Sequence, residues 1–196
     1  MTNFSQKEID YIERISSTFI GQKVAEVYYE EINYGNDFEY WKFSENIHSV
    51  DMSITFKLEN GKLFQIKWDN EFYCYGIGFE EINALKIKEG FKMINVSENK
   101  NWKSKILKNI ISIDIYWDGA KIQSYKEIFN IMIPKGRREK IRIPLTWEIS
   151  FEKEKLYVSA FEIKENGSNI YWTDHLTINF NEKELRKYKL EENACR

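Results

Sequence analysis

Few side chains in this sequence can carry acid–base or nucleophilic chemistry. It holds two histidines, His48 and His175, and two cysteines, Cys74 and Cys195. His175 follows Asp174, and a carboxylate beside an imidazole can set its tautomer. A nucleophile for that pair would be Cys74 or Ser53. Neither lies in a nucleophile elbow, a papain-like cysteine context or a glycine loop opening a helix. His48 precedes Asp51 in a polar stretch with no nucleophile pattern of its own. No catalytic residue is assigned, and the expectation is a protein without enzymatic activity. No metal is expected either, because no two His or Cys candidates fall at the short spacings of a zinc site. Glu30, Glu31, Asp37 and Glu39 lack the Asp-x-Asp-x-Asp-Gly pattern of a calcium loop. Gly76 and Gly78 form a bare Gly-x-Gly without the third glycine and following helix of a phosphate cradle. They read as a strand bulge or packing positions, and no cofactor is expected.

Aromatic and charged residues are the remaining carriers of function. The chain has 13 Phe, 12 Tyr and 6 Trp, too much apolar surface for a disordered protein. Trp68, Trp117 and Trp147 sit inside strand patterns, where aromatics fit a half-buried pleated surface. Trp41 and Trp172 neighbour polar and turn residues and are the candidates for exposure, where a Trp can anchor a partner. The net charge is −2, so no global field draws the chain to nucleic acid or anionic lipid. Charge is nevertheless segregated. From Glu26 to Asp51 seven acids face the single base Lys42; from Lys86 to Lys108, seven lysines face two acids. From Lys121 to Arg142, seven bases face two acids. The acidic, aromatic segment suits a basic protein partner. The basic stretch Lys135–Lys140 lacks a nucleic-acid motif, so nucleic acid is not an expected partner.

The elements that must position these residues are legible in part. Ser5 and Glu8 form a capping box for a helix over Gln6–Phe19, Phe4 can staple against Ile9, and Gly21 marks the stop. Ile9, Ile12, Ile15 and Phe19 share one face of it. Val24–Glu31 is β-like, and Asn33–Ser49 reads as a strand with long loops. Ser53–Leu58 and Lys62–Trp68 form a hairpin around Asn60-Gly61, a type I′ signal. Phe72–Phe79 follows as a strand. Similar patterns recur at Ile110–Trp117, Thr146–Phe151, Lys155–Phe161 and Tyr171–Phe180, with a short helix capped by Asn181 and Glu184. Tyr28–Glu30 aligns with Tyr116–Asp118, Ile54 and Phe56 with Ile149 and Phe151, and Leu63 with Leu156. The expectation is an α+β fold of mostly antiparallel sheet, built from two similar β-rich repeats, residues 1–95 and 96–196, packed as one continuous unit. A Lys- and Asn-rich stretch over residues 82–109 is the domain boundary or crossover between them, and a variable segment follows Asp118-Gly119 and ends in the basic stretch Lys135–Lys140.

No stretch approaches the ~18 uninterrupted apolar residues of a membrane helix, so no membrane partner is expected. The first residues show no secretory signal, and two cysteines suit a reducing cytoplasm. With its Lys-, Ile-, Asn- and Glu-rich composition and its stretch Asp37-Phe-Glu-Tyr-Trp41, the chain resembles small bacterial immunity proteins. The resemblance implies a non-enzymatic inhibitor that holds a cognate toxin through acidic and aromatic residues, here Glu30, Glu31, Asp37, Glu39 and Trp41. The alternative expectation is a small-ligand pocket or enzyme site between the repeats, with Tyr73, Tyr171, Asp174 and His175 as its polar residues.

Overall fold

Ser5 opens the first element as its spacing with Glu8 requires. The computed structural model describes residues 4–35, 39–72, 74, 76–128, 131–163, 169–171 and 175–187. Helix α1 (Gln6–Phe19) carries both halves of the capping box, and Gly21 adopts φ +80° just beyond it, a conformation that favours glycine. Ile15 and Phe19 of the expected stripe are buried and Ile12 packs against the core, but Ile9 stays exposed and Glu8 and Tyr11 join the buried face. Aromatic rings decide this rotation. Tyr11 meets Phe72 at 5.1 Å and Trp117 at 5.7 Å, and Phe19 meets Phe79 at 5.1 Å and Phe64 at 5.3 Å. Phe4 and Ile9 both stay exposed, and Phe4 lies beside Trp117 at 6.3 Å.

The described chain continues through β1 (Val24–Ile32), β2 (Trp41–Ser44), β3 (Ile47–Val50), β4 (Ser53–Leu58), β5 (Leu63–Asp69) and β6 (Gly76–Ile82). Next come β7 (Phe91–Asn95), α2 (Lys100–Lys103), β8 (Ser112–Ile128) and β9 (Ile131–Ser150). The rest are β10 (Lys155–Ser159), β11 (Phe161–Ile163), β12 (Asn169–Tyr171), β13 (Leu176–Asn179) and α3 (Glu182–Lys187). Most of the structure is therefore antiparallel sheet. One sheet has the order β6-β5-β4-β1-β7, a second has the order β2-β3-β13-β10-β9-β8, and β11 and β12 form a small separate pair.

Each larger sheet contains a three-stranded meander, β4-β5-β6 in one and β8-β9-β10 in the other, to which β1 and β13 add antiparallel as fourth strands. The residue matches drawn from sequence do not hold in the ladders. Tyr29 stands opposite Ile54, but Ile149 faces Ile113 while Trp117 faces Pro144. The halves also exchange material. β2 and β3 join the second sheet, where β3 pairs with β13. The stretch over 82–109 is more than a crossover, since its β7 pairs with β1. Because β6 and β7 occupy opposite edges, the link between them spans about 19 Å at ~4.8 Å per strand.

The hairpin at Asn60-Gly61 forms, with a different turn. Gly61 N–H donates to Leu58 C=O at 2.9 Å and Gly61 sits at φ +86°, while Asn60 has no positive φ. That is a type I turn closed by a left-handed glycine, not the type I′ turn that Asn-Gly suggests.

One hydrophobic cluster joins the two sheets: Tyr29, Ile54, Phe56 and Ile66 from the first, Leu145, Trp147, Ile149 and Val158 from the second. α1 ties both sheets together. Trp147 Nε1 donates to Tyr11 Oη at 2.9 Å, and Tyr11 Oη donates to the Ile77 carbonyl. At Gly76 a Cβ would lie 3.1 Å from both Ile143 and Pro144, so the sequence's Gly-x-Gly begins at a packing position where β6 meets β9.

The variable segment is ordered as a β-arm. β8 and β9 continue past the sheet as a two-stranded ribbon, with rungs from Gly119↔Arg142 to Ile128↔Ile131. At ~3.4 Å per rung it projects about 30 Å. A register shift opposite Gln123 leaves residues 136–138 of β9 outside the ladder, with Gly136 at φ +75°. At the root, Arg142 Nε pairs with Glu8 Oε1 at 2.6 Å, and its guanidinium lies over Phe4 at 4.6 Å and Trp117 at 5.6 Å.

Candidate functional site

β2 forms one edge of the six-stranded sheet. It begins where Tyr40, buried against Tyr29 at 5.2 Å, anchors the incoming chain, and Asn99 Nδ2 donates to Tyr40 Oη at 2.8 Å. Alternation then turns Trp41 outward, 51% exposed, opposite Ser49 of β3. A register shift between Lys42 and Ser44 bulges the strand and leaves Phe43 37% exposed beside Trp41. The following turn is pinned from α3: Ser44 Oγ and Asn46 Nδ2 donate to Glu184 at 3.2 and 3.4 Å. Trp41, Lys42, Phe43 and Ser49 line a groove of about 340 Å³, completed by Glu162, Ile163 and His175 from the second half.

Behind the groove lies an acidic pair. His175 is 28% exposed, and its Nε2 is 3.6 Å from Asp51 Oδ1. Asp51 and Glu31 are both buried. Asp51 N–H donates to Glu31 Oε2 at 3.2 Å, and Ile32 N–H donates to Asp51 Oδ2 at 3.2 Å. Burial first, and the neighbouring Asp51 charge second, push the Glu31 carboxyl up to about 9, so it is protonated at neutral pH. The exposed Tyr34 is also raised, by desolvation and then by Asp51 and Glu31. Glu31 Oε1, Asp51 Oδ1 and His175 Nδ1 make no hydrogen bond within the described structure. Among the described residues no hydroxyl or thiol hydrogen-bonds to His175, so the geometry holds a proton and builds no nucleophile–base pair.

The other expected site residues scatter. Glu30 is buried on the opposite side of β1 from Glu31, where it accepts from Ser53 Oγ at 2.7 Å and Gln65 Nε2 at 3.1 Å. It lines a separate groove of about 350 Å³ with Glu80, Lys86 and Lys88. Glu39 is exposed just before Trp41. Asp37, Tyr73, Asp174 and Trp172 lie outside the described residues, as does the side chain of Tyr171. The acidic face expected from Glu30 and Glu31 is thus not presented by those two residues. What the structure assembles instead is Trp41 with His175, one residue from each of the two expected sites.

His48 is wholly buried. Trp102 Nε1 donates to Tyr29 Oη at 2.6 Å, which leaves the Tyr29 hydroxyl proton for His48 Nδ1 at 3.0 Å. Desolvation, followed by Lys42, pushes His48 down to about 3, so it serves as a neutral core group. Cys74 is a free, half-buried thiol that burial raises. Among the described residues no three His, Cys, Asp or Glu side chains are placed to hold a metal ion, and no helix is long and apolar enough to cross a membrane.

Phe43 was open to detection as the i+2 neighbour of Trp41 on one strand. Glu162 and Ile163 were not, since they come from the separate β11–β12 pair, remote in sequence from β2. Comparison with protein-family models, with curated proteins and with solved structures finds no match to this chain.

Proposed function

We propose that this chain is a non-enzymatic protein-binding module that receives its partner at edge strand β2 and the adjoining groove. The observation that carries the reading is the exposure of Trp41 and Phe43 side by side on an edge strand. An edge strand offers main-chain groups to an added strand, and flanking pockets read its side chains. An aromatic anchor beside such an edge supplies the energetic centre of an interface. The groove draws on both halves of the chain and lies along a strand, a shape suited to an extended segment. Within this reading the chain is a cytoplasmic immunity protein, and the partner a toxin domain whose basic surface Glu39 and Asp37 steer.

The test compares tagged wild-type protein with Trp41→Ala and Glu39→Lys in capture from host lysate. The expected result is one stoichiometric protein, lost with Trp41→Ala and slowed in association by Glu39→Lys, with thermal midpoints unchanged. The captured protein should poison cells that lack this chain. Full retention by Trp41→Ala overturns the assignment of β2.

A further inference from the structure

The β8–β9 arm ends in a cluster of exposed apolar side chains that the fold does not use. Ile131 is 63% exposed, Met132 61%, Tyr125 52% and Ile133 38%. They occupy the last four rungs: Tyr125↔Pro134, Lys126↔Ile133, Glu127↔Met132 and Ile128↔Ile131. Apolar surface gathered at one projecting point marks an interaction site, unlike single exposed residues. A two-stranded ribbon is marginal in water without a third strand or a covering surface. This one is nonetheless held at its root by Arg142 against Glu8.

We propose that the arm tip docks on the surface of an anionic phospholipid bilayer. Charge is arranged for it. Behind the tip stand the exposed bases Lys121, Lys126, Lys135, Arg137 and Lys140. From Lys121 to Arg142 seven bases oppose two acids, +5, so the total of −2 leaves −7 to the remainder of the chain. An anionic surface attracts the arm and repels the body, which orients the molecule tip-down. Depth agrees as well. The last four rungs span about 10 Å in three steps of ~3.4 Å, matching the ~5–10 Å to which interfacial elements sink. Deeper entry is barred, because both edges of the ribbon would carry unpaired backbone groups into hydrocarbon. Pro134 removes one such donor, and Glu127 keeps the seating shallow. A polynucleotide would engage the bases while leaving the apolar tip in water. A planar anionic interface engages both.

The experiment is co-sedimentation of the full chain with vesicles of phosphatidylcholine alone or mixed with phosphatidylglycerol, across a salt series. The wild type is expected to pellet with the mixed vesicles only, less so as salt rises. The double variant Ile131→Asp/Met132→Asp is expected to lose about tenfold or more in partitioning. Lys135→Glu/Arg137→Glu should lose a comparable amount, and Ile131→Leu should keep binding. Every position is exposed, so the thermal midpoints serve as the control that the variants fold. Trp41→Ala should bind vesicles as the wild type does, which separates this proposal from the one at β2. No pelleting with either vesicle overturns the proposal. So does full binding by the Ile131→Asp/Met132→Asp variant, which would assign the arm to polyanions through its bases alone. Tip-dependent dimerisation in place of lipid binding would assign the tip to a second copy.

Discussion

Glu31 enters the folded state with its carboxyl raised to about 9, while the unfolded value is 4.5. Between those limits the folded chain binds one more proton than the unfolded chain. The associated stability is therefore complete below pH 4.5 and is lost as pH rises toward 9, by up to about 1.4 kcal/mol per pH unit. His48 works in the other direction. Its folded value of about 3 lies under its unfolded 6.5, so stability is lost as pH falls between those limits, with a similar slope. The two windows overlap from 4.5 to 6.5, where the slopes cancel. Denaturant midpoints measured across pH should show a plateau there, falling on both sides. Glu31→Gln should flatten the alkaline limb above pH 6.5 and turn the plateau into a slope, because the His48 loss then begins uncompensated at pH 6.5. An unchanged alkaline limb would move that proton to another group. Neither burial was legible in sequence. Glu31 sits in an acidic run that reads as a solvated face, and its partner Asp51 reaches it only because β3 turns back from one sheet to the other.

Among the elements, α1 and the arm mark the limits of local reading. The capping box was legible because its two hydrogen bonds close within four residues. The arm was not. Strands are recognised by one buried and one wet face, and this ribbon is exposed on both sides, so no alternation marks it. Its basic residues accordingly read as a loop. The Asn60-Gly61 signal found the hairpin but not its turn type, because Gly61 alone takes the left-handed conformation. The two elements meet at Glu8, which accepts from Ser5 and from Arg142. Burial raises the Glu8 carboxyl, yet the Arg142 hydrogen bond and the Ser5 contacts hold it below its ordinary value. Arg142→Met leaves that carboxylate half of a broken pair and should cost about 2–4 kcal/mol in chemical denaturation. Glu8→Gln combined with Arg142→Met should cost less than the sum of the single changes. Additive losses would show that the two side chains act independently.

In the whole molecule, the fold class was legible as mostly antiparallel sheet with short helices. The assignment of strands to sheets was not, because a pairing between remote segments leaves no local periodicity. β2 and β3 belong by sequence to the first half and by hydrogen bonding to the second, and a single hydrophobic cluster spans both. A fragment of residues 1–95 would leave β3 without β13 and expose the inner faces of β4 and β5. It should unfold without a cooperative transition in denaturant; a sharp transition would show that the first sheet stands alone. The pairing of β3 with β13 also sets an order of events during synthesis. Ile47–Val50 leaves the ribosome long before Leu176–Asn179, and at ~5–20 residues per second the interval is roughly ten seconds. For that time the nascent chain carries an unsatisfied β-hairpin with Trp41 and Phe43 on its outer strand, beside whatever the cell places nearby. Until β13 arrives the hairpin is open along both edges, β3 toward its missing neighbour and β2 toward the side that suits a partner in the finished protein.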